Sequence, residues 1–250
     1  MDILLLLFCG LLSGFMNTLA SSGSAITLPA MIFLGVPPSV ANATNRLPIL
    51  VGSSISVFNF HKSGDIVWSK TVLISIPVFL GTLTGSVLVK YFDAEYAQFL
   101  VFIAMIFSFI LITTNSRSLL KGRSVINKKV TTKNHVIFFL IGVWAGLIVL
   151  DSAVLMLFEL ILGCGLDVSK ANPIKNFLLL IVSLVSICVF YLQQLIHWEI
   201  GIMLSIGSFF GGYIGSKLSQ HELIKIWIYR FLMGIVTFEI CTLSIKLFFK

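Results

Sequence analysis

Charge is what this chain has least of. Only 11% of its 250 residues are Asp, Glu, Lys or Arg, against 58% hydrophobic, where a soluble domain carries roughly a quarter charged. With a mean hydropathy of +1.05, this excludes a soluble globule and predicts an integral membrane protein. The alternation that barrel strands need is missing, which leaves helices, whose backbones satisfy their own hydrogen bonds in lipid. Cys9, Cys164, Cys188 and Cys241 show no Cys-x-x-Cys spacing and read as small buried hydrophobes with no redox or metal role. His61, His135, His197 and His221 stand at predicted helix ends or in loops, and there is no His-Glu-x-x-His, Gly-x-Ser-x-Gly or Walker-type glycine loop. An intramembrane protease, a lipid hydrolase or an ATP-driven pump would need such residues. We therefore expect neither an enzyme nor a cofactor.

The charge that is present is unevenly placed. Six of the 17 Lys and Arg, namely Arg117, Lys121, Arg123, Lys128, Lys129 and Lys133, fall in one acid-free stretch. A short loop with that much positive charge belongs on the cytoplasmic side of a membrane. It accounts for much of the net charge of +7 without invoking nucleic acid. The start, Met1-Asp2-Ile3, lacks the basic n-region of a signal peptide and reads as the opening of a first transmembrane helix.

Apolar runs predict helices over Ile3 to Leu19, Val40 to Phe60, Ile66 to Val89, Glu95 to Thr113, Val136 to Leu150, Val168 to Ile196, Trp198 to Ser216 and Leu223 to Phe249. Most are long enough to cross about 30 Å of hydrocarbon. Trp68 and Trp198, Gly81 and Gly211, Gly85 and Gly215, and Ala41-Asn42 and Ala171-Asn172 are pairs 130 positions apart. That constant offset predicts a first repeat over 1–114, a basic cytoplasmic connector over 115–134 and a second repeat over 135–250. The fold expected is an all-α polytopic membrane protein of about eight transmembrane helices in two internal repeats, each with a broken or re-entrant helix.

The breaks come from two shorter apolar pieces, Ala25 to Gly35 and Ser152 to Gly163, each too short to span alone. One follows Ser21-Ser22-Gly23-Ser24 and the other follows Asp151. If each piece merely continues the preceding helix, there are eight crossings and two copies of like orientation. If each is a hairpin that turns back, there are ten segments and the copies are inverted. Interrupted segments at corresponding places in two repeats point to a substrate site, and exposed N–H groups at a break suit an anion. Close packing of small residues would explain a serine equally well.

After the first break, Asn42, Thr44, Asn45 and Arg46 stand together, and an Arg fork matches oxyanions. Snorkelling to headgroups is the alternative for Arg46. The second copy has Asn172 and Lys175 in the corresponding stretch, and a basic group facing Arg46 would double the positive field. Asp151 is an intramembrane acid, either a coupling site or the ion-pair partner of Lys175 or Arg46. Glu159, on nearly the same helical face, is a second coupling candidate.

Several stretches together resemble the TauE/SafE family of sulfite and organosulfonate exporters, also called the toluene-sulfonate uptake permease group, over almost the whole chain. They are Gly10-Leu11-Leu12-Ser13-Gly14-Phe15, Leu28-Pro29 with Leu34-Gly35, Ala41-Asn42-Ala43-Thr44-Asn45-Arg46, Gly64-Asp65-Ile66-Val67-Trp68, and the glycine patterns starting at Gly81 and Gly211. The family usually carries a run of glycines at each break, which neither break has here, and the second copy lacks the Thr-Asn-Arg pattern. The resemblance implies a secondary transporter of small anions in the cell's inner membrane, with sulfite or organosulfonates as the substrate class. In that reading Ser21, Ser22 and Ser24 cradle the anion, Asn42, Thr44, Asn45 and Arg46 bind it, and one repeat rocks against the other. The partners expected are that anion and the bilayer, with self-association left open. The rival reading is a non-transporting membrane subunit that acts as a scaffold through the basic loop.

Overall fold

A computed structural model describes residues 3–20, 23–91, 129–150 and 152–219. The helices expected over Glu95 to Thr113 and Leu223 to Phe249, and most of the connector, lie outside them. The described residues form helices α1 (Ile3–Ala20), α2 (Ser24–Phe33), α3 (Pro38–Thr44), α4 (Arg46–Lys62), α5 (Trp68–Leu88), α6 (Thr132–Leu147), α7 (Ser152–Phe158), α8 (Val168–Leu192) and α9 (Trp198–Leu218). A short 3-10 turn, Val89–Tyr91, follows α5, and a π-helical turn, Glu159–Gly163, follows α7.

Local chemistry sets these boundaries. The segment predicted as one helix from Val40 is split at Asn45, because Pro48 has no N–H to give the Thr44 carbonyl. Pro38 opens α3 at a position where a missing N–H costs nothing. Thr131 caps α6 in a reciprocal box with Asn134. Gly35 (φ 83°), Gly64 (φ 73°) and Gly165 (φ 67°) turn the chain through the left-handed region after α2, α4 and the π turn. After α8 the same conformation falls to Gln194 (φ 56°), 130 positions beyond Gly64.

Contacts between helices set their directions. Gly10, Gly14, Gly211 and Gly215 bring α1 and α9 so close that an added Cβ would crowd Leu204, Ser208, Leu11 and Thr18 respectively, so the two run parallel. Gly81 and Gly85 do the same for α5 against Phe139 and Val143 of α6. Thr18 bonds Ser56 at 2.8 Å, Ser208 donates to the Pro48 carbonyl at 2.6 Å and Asn59 to Ser216 at 2.7 Å, which align α1, α4 and α9. Trp68 stacks edge-on against Phe177 at 5.4 Å and Ser86 bonds Ser186 at 3.0 Å, which align α5 and α8. Since α5 reverses direction after α4, α4 and α8 are antiparallel.

Two parallel bundles result, α1/α4/α9 and α5/α6/α8, each drawing helices from both halves of the sequence. Because α1 and α4 are parallel, the chain must return between them, and α2 makes that return. Gly23 lies beside Ser13 and Asn17 of α1, while Met31 clusters with Leu6 and Cys9 near its start. The second half does likewise: Ser152 follows the end of α6, and Asn134 at its start donates to Glu159 at 2.6 Å. Of the two readings of the breaks, the described helices follow the hairpin, and corresponding helices of the two halves run in opposite directions.

The outward faces are apolar, and polar groups are buried among the apolar core. Arg46, Lys175, Asn45, Ser86 and Ser186 are fully buried, while Val72, Ile76, Phe79, Leu83, Ile202, Ile206, Phe209 and Phe210 are exposed. By length and composition, Trp68–Tyr91 and Val168–Leu192 suffice to cross a bilayer. The directions place Lys62 and Lys133 at one end of the molecule and Ser39 and Glu199 at the other. Single cysteines at 62 and 133, in a background without the native thiols, should react with an impermeant maleimide from one face of intact vesicles, and cysteines at 39 and 199 from the opposite face.

Candidate functional site

The tip of the second hairpin, Gly146 to Ser152, is held by α3 and α4. Asn42 donates to the Leu147 carbonyl at 2.9 Å and accepts from the Val149 N–H at 3.2 Å, so one amide stands in for the helical bonds lost at the break. Arg46 Nη2 donates to the Gly146 carbonyl at 3.3 Å, and its guanidinium lies 5.5 Å from the Phe190 ring. Here the cation meets carbonyls left free at a helix C-terminus, where the dipole is negative. Asn45 Oδ1 accepts from Thr27 Oγ1 at 2.6 Å. Arg46 Nε, Arg46 Nη1 and Asn45 Nδ2 are buried donors without a hydrogen-bond partner among the described residues, and so is one acceptor, Gln193 Oε1, whose Nε2 donates to the Ser86 carbonyl. Each such group costs about 1–3 kcal/mol.

The tip of the first hairpin is held from α8. Lys175 Nζ donates to the Asn17 carbonyl at 2.6 Å and the Thr18 carbonyl at 3.3 Å, and Asn176 Nδ2 reaches Thr18 O at 3.4 Å and Asn172 O at 3.0 Å. Asn17 Oδ1 accepts from the Gly23 N–H at 3.0 Å across the break. An ion pair joins Lys170 and Asp65, 3.7 Å apart and partly exposed. Arg46 and Lys175 have no acidic partner among the described residues.

The expected site residues are therefore divided. Arg46 sits over Phe190, which is 15 residues beyond Lys175 on α8. At 1.5 Å per residue, the two cations are about 20 Å apart along the helix. The expectation that they face each other fails because α4 and α8 are antiparallel. Asn42 and Arg46 stay together at the second tip, Asn45 beside them bonds Thr27 of α2, and Lys175 and Asn172 lie at the first tip. Thr44 turns away and accepts from the His197 N–H at 2.9 Å. Ser24 is buried at the start of α2. Glu159 bonds Asn134, about 20 Å along α6 from the Arg46 cluster. Ser21, Ser22 and Asp151 lie outside the described residues. Asn17, Thr27 and Asn176 belong to these clusters but were not among the residues expected. The adjacent Asn17 and Thr18, ending an otherwise apolar helix just before the break, were their signal.

This geometry, polar groups at hairpin tips inside a lipid-facing shell, agrees with the comparisons. A profile described as sulfite exporter TauE/SafE matches residues 6–241. The chain belongs to the TauE/SafE family. Within it, this TauE/SafE protein is 25% identical over 223 residues to a Haemophilus influenzae protein named "Probable membrane transporter protein", covering 87% of this chain and 85% of the relative. It is 24% identical over 218 residues to the Escherichia coli K12 "Probable membrane transporter protein YfcA" (85% and 79% covered). It is 24% identical over 220 residues to "Probable membrane transporter protein ORF9" of a Sinorhizobium species (86% and 82% covered). No solved structure matches the chain. The family and these names make the protein a membrane transporter.

In this TauE/SafE protein Asn42 is a positioning residue for the second tip. Asn42→Leu leaves the Leu147 carbonyl and the Val149 N–H without their partner, which should cost about 2 kcal/mol and lower the Tm by roughly 4–8 °C in a thermal melt of the purified protein. Asn42→Asp, which keeps the bond to Val149, should lose about half as much.

Proposed function

We propose that this protein is a secondary transporter of small oxyanions, with sulfite and organosulfonates as the substrate class, and that it binds them at the second hairpin tip between Arg46, Asn45 and Asn42. The observation that carries this reading is the set of unpaired donors there: a buried guanidinium and a buried amide with free N–H groups and no acid beside them among the described residues. A buried cation so placed favours an anionic ligand, and several acceptor oxygens around one centre suit a fork of donors. Sulfonate and sulfite supply that arrangement.

The chain is read here as a multi-pass protein of the cytoplasmic membrane, with the face bearing Lys62 and Lys133 towards the cytoplasm, because the basic connector ends there. The moving bodies in this reading are the two bundles rather than the two sequence repeats. Each tip bond crosses between bundles: Asn42 and Arg46 of one hold α6 of the other, and Lys175 and Asn176 hold α1. Since these contacts lie at opposite ends, breaking one set at a time would expose the site to alternate sides.

Flux into proteoliposomes with sulfite, sulfoacetate, sulfate and simple carboxylates tests the reading. Arg46→Ala should lower uptake of the preferred anion about 100-fold, the effect of losing two charge-assisted hydrogen bonds of about 1.5 kcal/mol each. Arg46→Lys should lower it about 10-fold, since an ammonium keeps the charge but not the fork. Full flux by Arg46→Ala, or no anion flux by the wild type, overturns it.

A further inference from the structure

The proposed anion site is not made of donors alone. Gln193 Oε1 is buried there without a hydrogen-bond partner among the described residues, and three sets of contacts bring Gln193 to the Arg46 cluster. Its Nε2 donates to the Ser86 carbonyl at 3.4 Å, and Ser86 Oγ donates at 3.4 Å to the Gly146 carbonyl that also takes Arg46 Nη2. Phe190, three residues earlier on α8, has its ring 5.5 Å from the Arg46 guanidinium. The loop that begins at Gln193 then reaches Thr44, next to Asn45 and Arg46, where the His197 N–H donates to Thr44 Oγ1 at 2.9 Å.

The amide is held in one sense. A carbonyl accepts only from the NH2 end of an amide, so the bond to Ser86 leaves the oxygen as the end without a partner. The backbone beneath it is fixed as well: Gln194 leaves α8 at φ 56° with its N–H on Tyr191 O at 3.0 Å, and the Leu195 N–H bonds the Phe190 carbonyl at 3.1 Å. A residue with a side chain keeps that left-handed conformation only where its surroundings impose it. Thr82 Oγ1 and Ser183 Oγ, one turn before the bonded pair Ser86 and Ser186, are also buried without partners among the described residues. Hydroxyls give or take a hydrogen bond and so suit either kind of ligand atom, whereas Gln193 Oε1 can only accept.

We propose that Gln193 is a specificity-determining residue of the anion site, its Oε1 accepting a hydrogen bond from an O–H that the transported oxyanion itself carries. The ligand class is then a small oxyanion with its own donor, hydrogensulfite or a hydroxyalkanesulfonate. Its charged oxygens meet Arg46 and Asn45, and its hydroxyl meets Gln193. Sulfate and unsubstituted alkanesulfonates present acceptors only, so with them Gln193 Oε1 stays unpaired and out of water. A site that pairs a substrate hydroxyl discriminates against the analogue lacking it, because its own buried polar group is left without a partner. The inference rests on the anion reading above and narrows it.

The test is uptake by the full-length protein in proteoliposomes of two pairs of anions that differ by one hydroxyl: 2-hydroxyethanesulfonate with ethanesulfonate, and hydroxymethanesulfonate with methanesulfonate. In at least one pair the wild type should take the hydroxylated member with a KM about 10-fold lower. Gln193→Met, similar in length but without the acceptor, should bring the two KM values within about 2-fold of each other. It should do so by raising the KM of the hydroxylated member and leaving that of its partner unchanged, whereas a merely structural role for Gln193 would shift both alike. Gln193→Leu serves where the Met variant is not recovered folded, and the wild-type comparison needs no variant. Equal KM values within both pairs for the wild type, or a hydroxyl preference that survives in the variant, overturns the inference and leaves the anion reading standing. A wild type that moves none of these anions and no sulfite defeats the anion reading, and this inference with it.

Discussion

Everything in this structure turns on how two helix ends are satisfied where the chain breaks inside the protein. At each break the last carbonyls of an 18- or 16-residue helix lose their helical partners, and lipid offers no water to replace them. The chain answers with side chains from the other bundle. Asn42 and Arg46 meet Leu147, Val149 and Gly146, while Lys175 and Asn176 meet Asn17 and Thr18. This constraint explains how two cations can be fully buried without acidic partners among the described residues. Carbonyl oxygens at the negative ends of helices provide the compensation that a carboxylate would otherwise supply.

The glycines serve the same end by another route. For a side chain on α4 to reach the end of α6, the helices must pack closely, and in lipid there is little hydrophobic force to bring them together. Gly81, Gly85, Gly142 and Gly146 let α5 and α6 touch backbone to backbone, and Gly10, Gly14, Gly207 and Gly211 do so for α1 and α9. These seams lie within the bundles and the hairpin-tip bonds lie between them. The bundles also share one apolar cluster, in which Met16 and Ile49 join Ile74, Phe138 and Leu178, so the polar tip bonds add direction to a contact that apolar packing already makes.

Much of this was legible in the chain. Among the described residues the apolar runs fell where helices are, the 130-residue offset fell on the starts of α5 and α9 and of α3 and α8, and Asn42 and Arg46 do meet the same hairpin tip. Direction was not legible, because an apolar piece of a dozen residues has the same composition whether it continues a helix or returns beside it. The error about Lys175 follows from that. The offset puts Arg46 and Lys175 at nearly the same register of equivalent helices, and only the antiparallel path of α4 and α8 sends equal registers to opposite ends. Thr44 illustrates a smaller limit: the sequence grouped it with Asn42, Asn45 and Arg46, but the helix is interrupted beside it and its hydroxyl accepts from the His197 N–H.

The asymmetry of the repeat then has a physical reading. If both tips needed only to be closed, the same residues would serve at each, since each presents carbonyls at a helix end. Instead, one tip closes with Asn42 and Arg46 and leaves Arg46 N–H groups over, and the other closes with Lys175 and Asn176 and leaves Asn176 Oδ1 and Ser13 Oγ over. An unpaired buried donor and an unpaired buried acceptor each cost about 1–3 kcal/mol, and about 20 Å of helix separates the two, so neither can relieve the other. Packing alone gives no reason to keep both. Uptake of an anion beside Arg46, as proposed above, gives the unpaired donors such a reason.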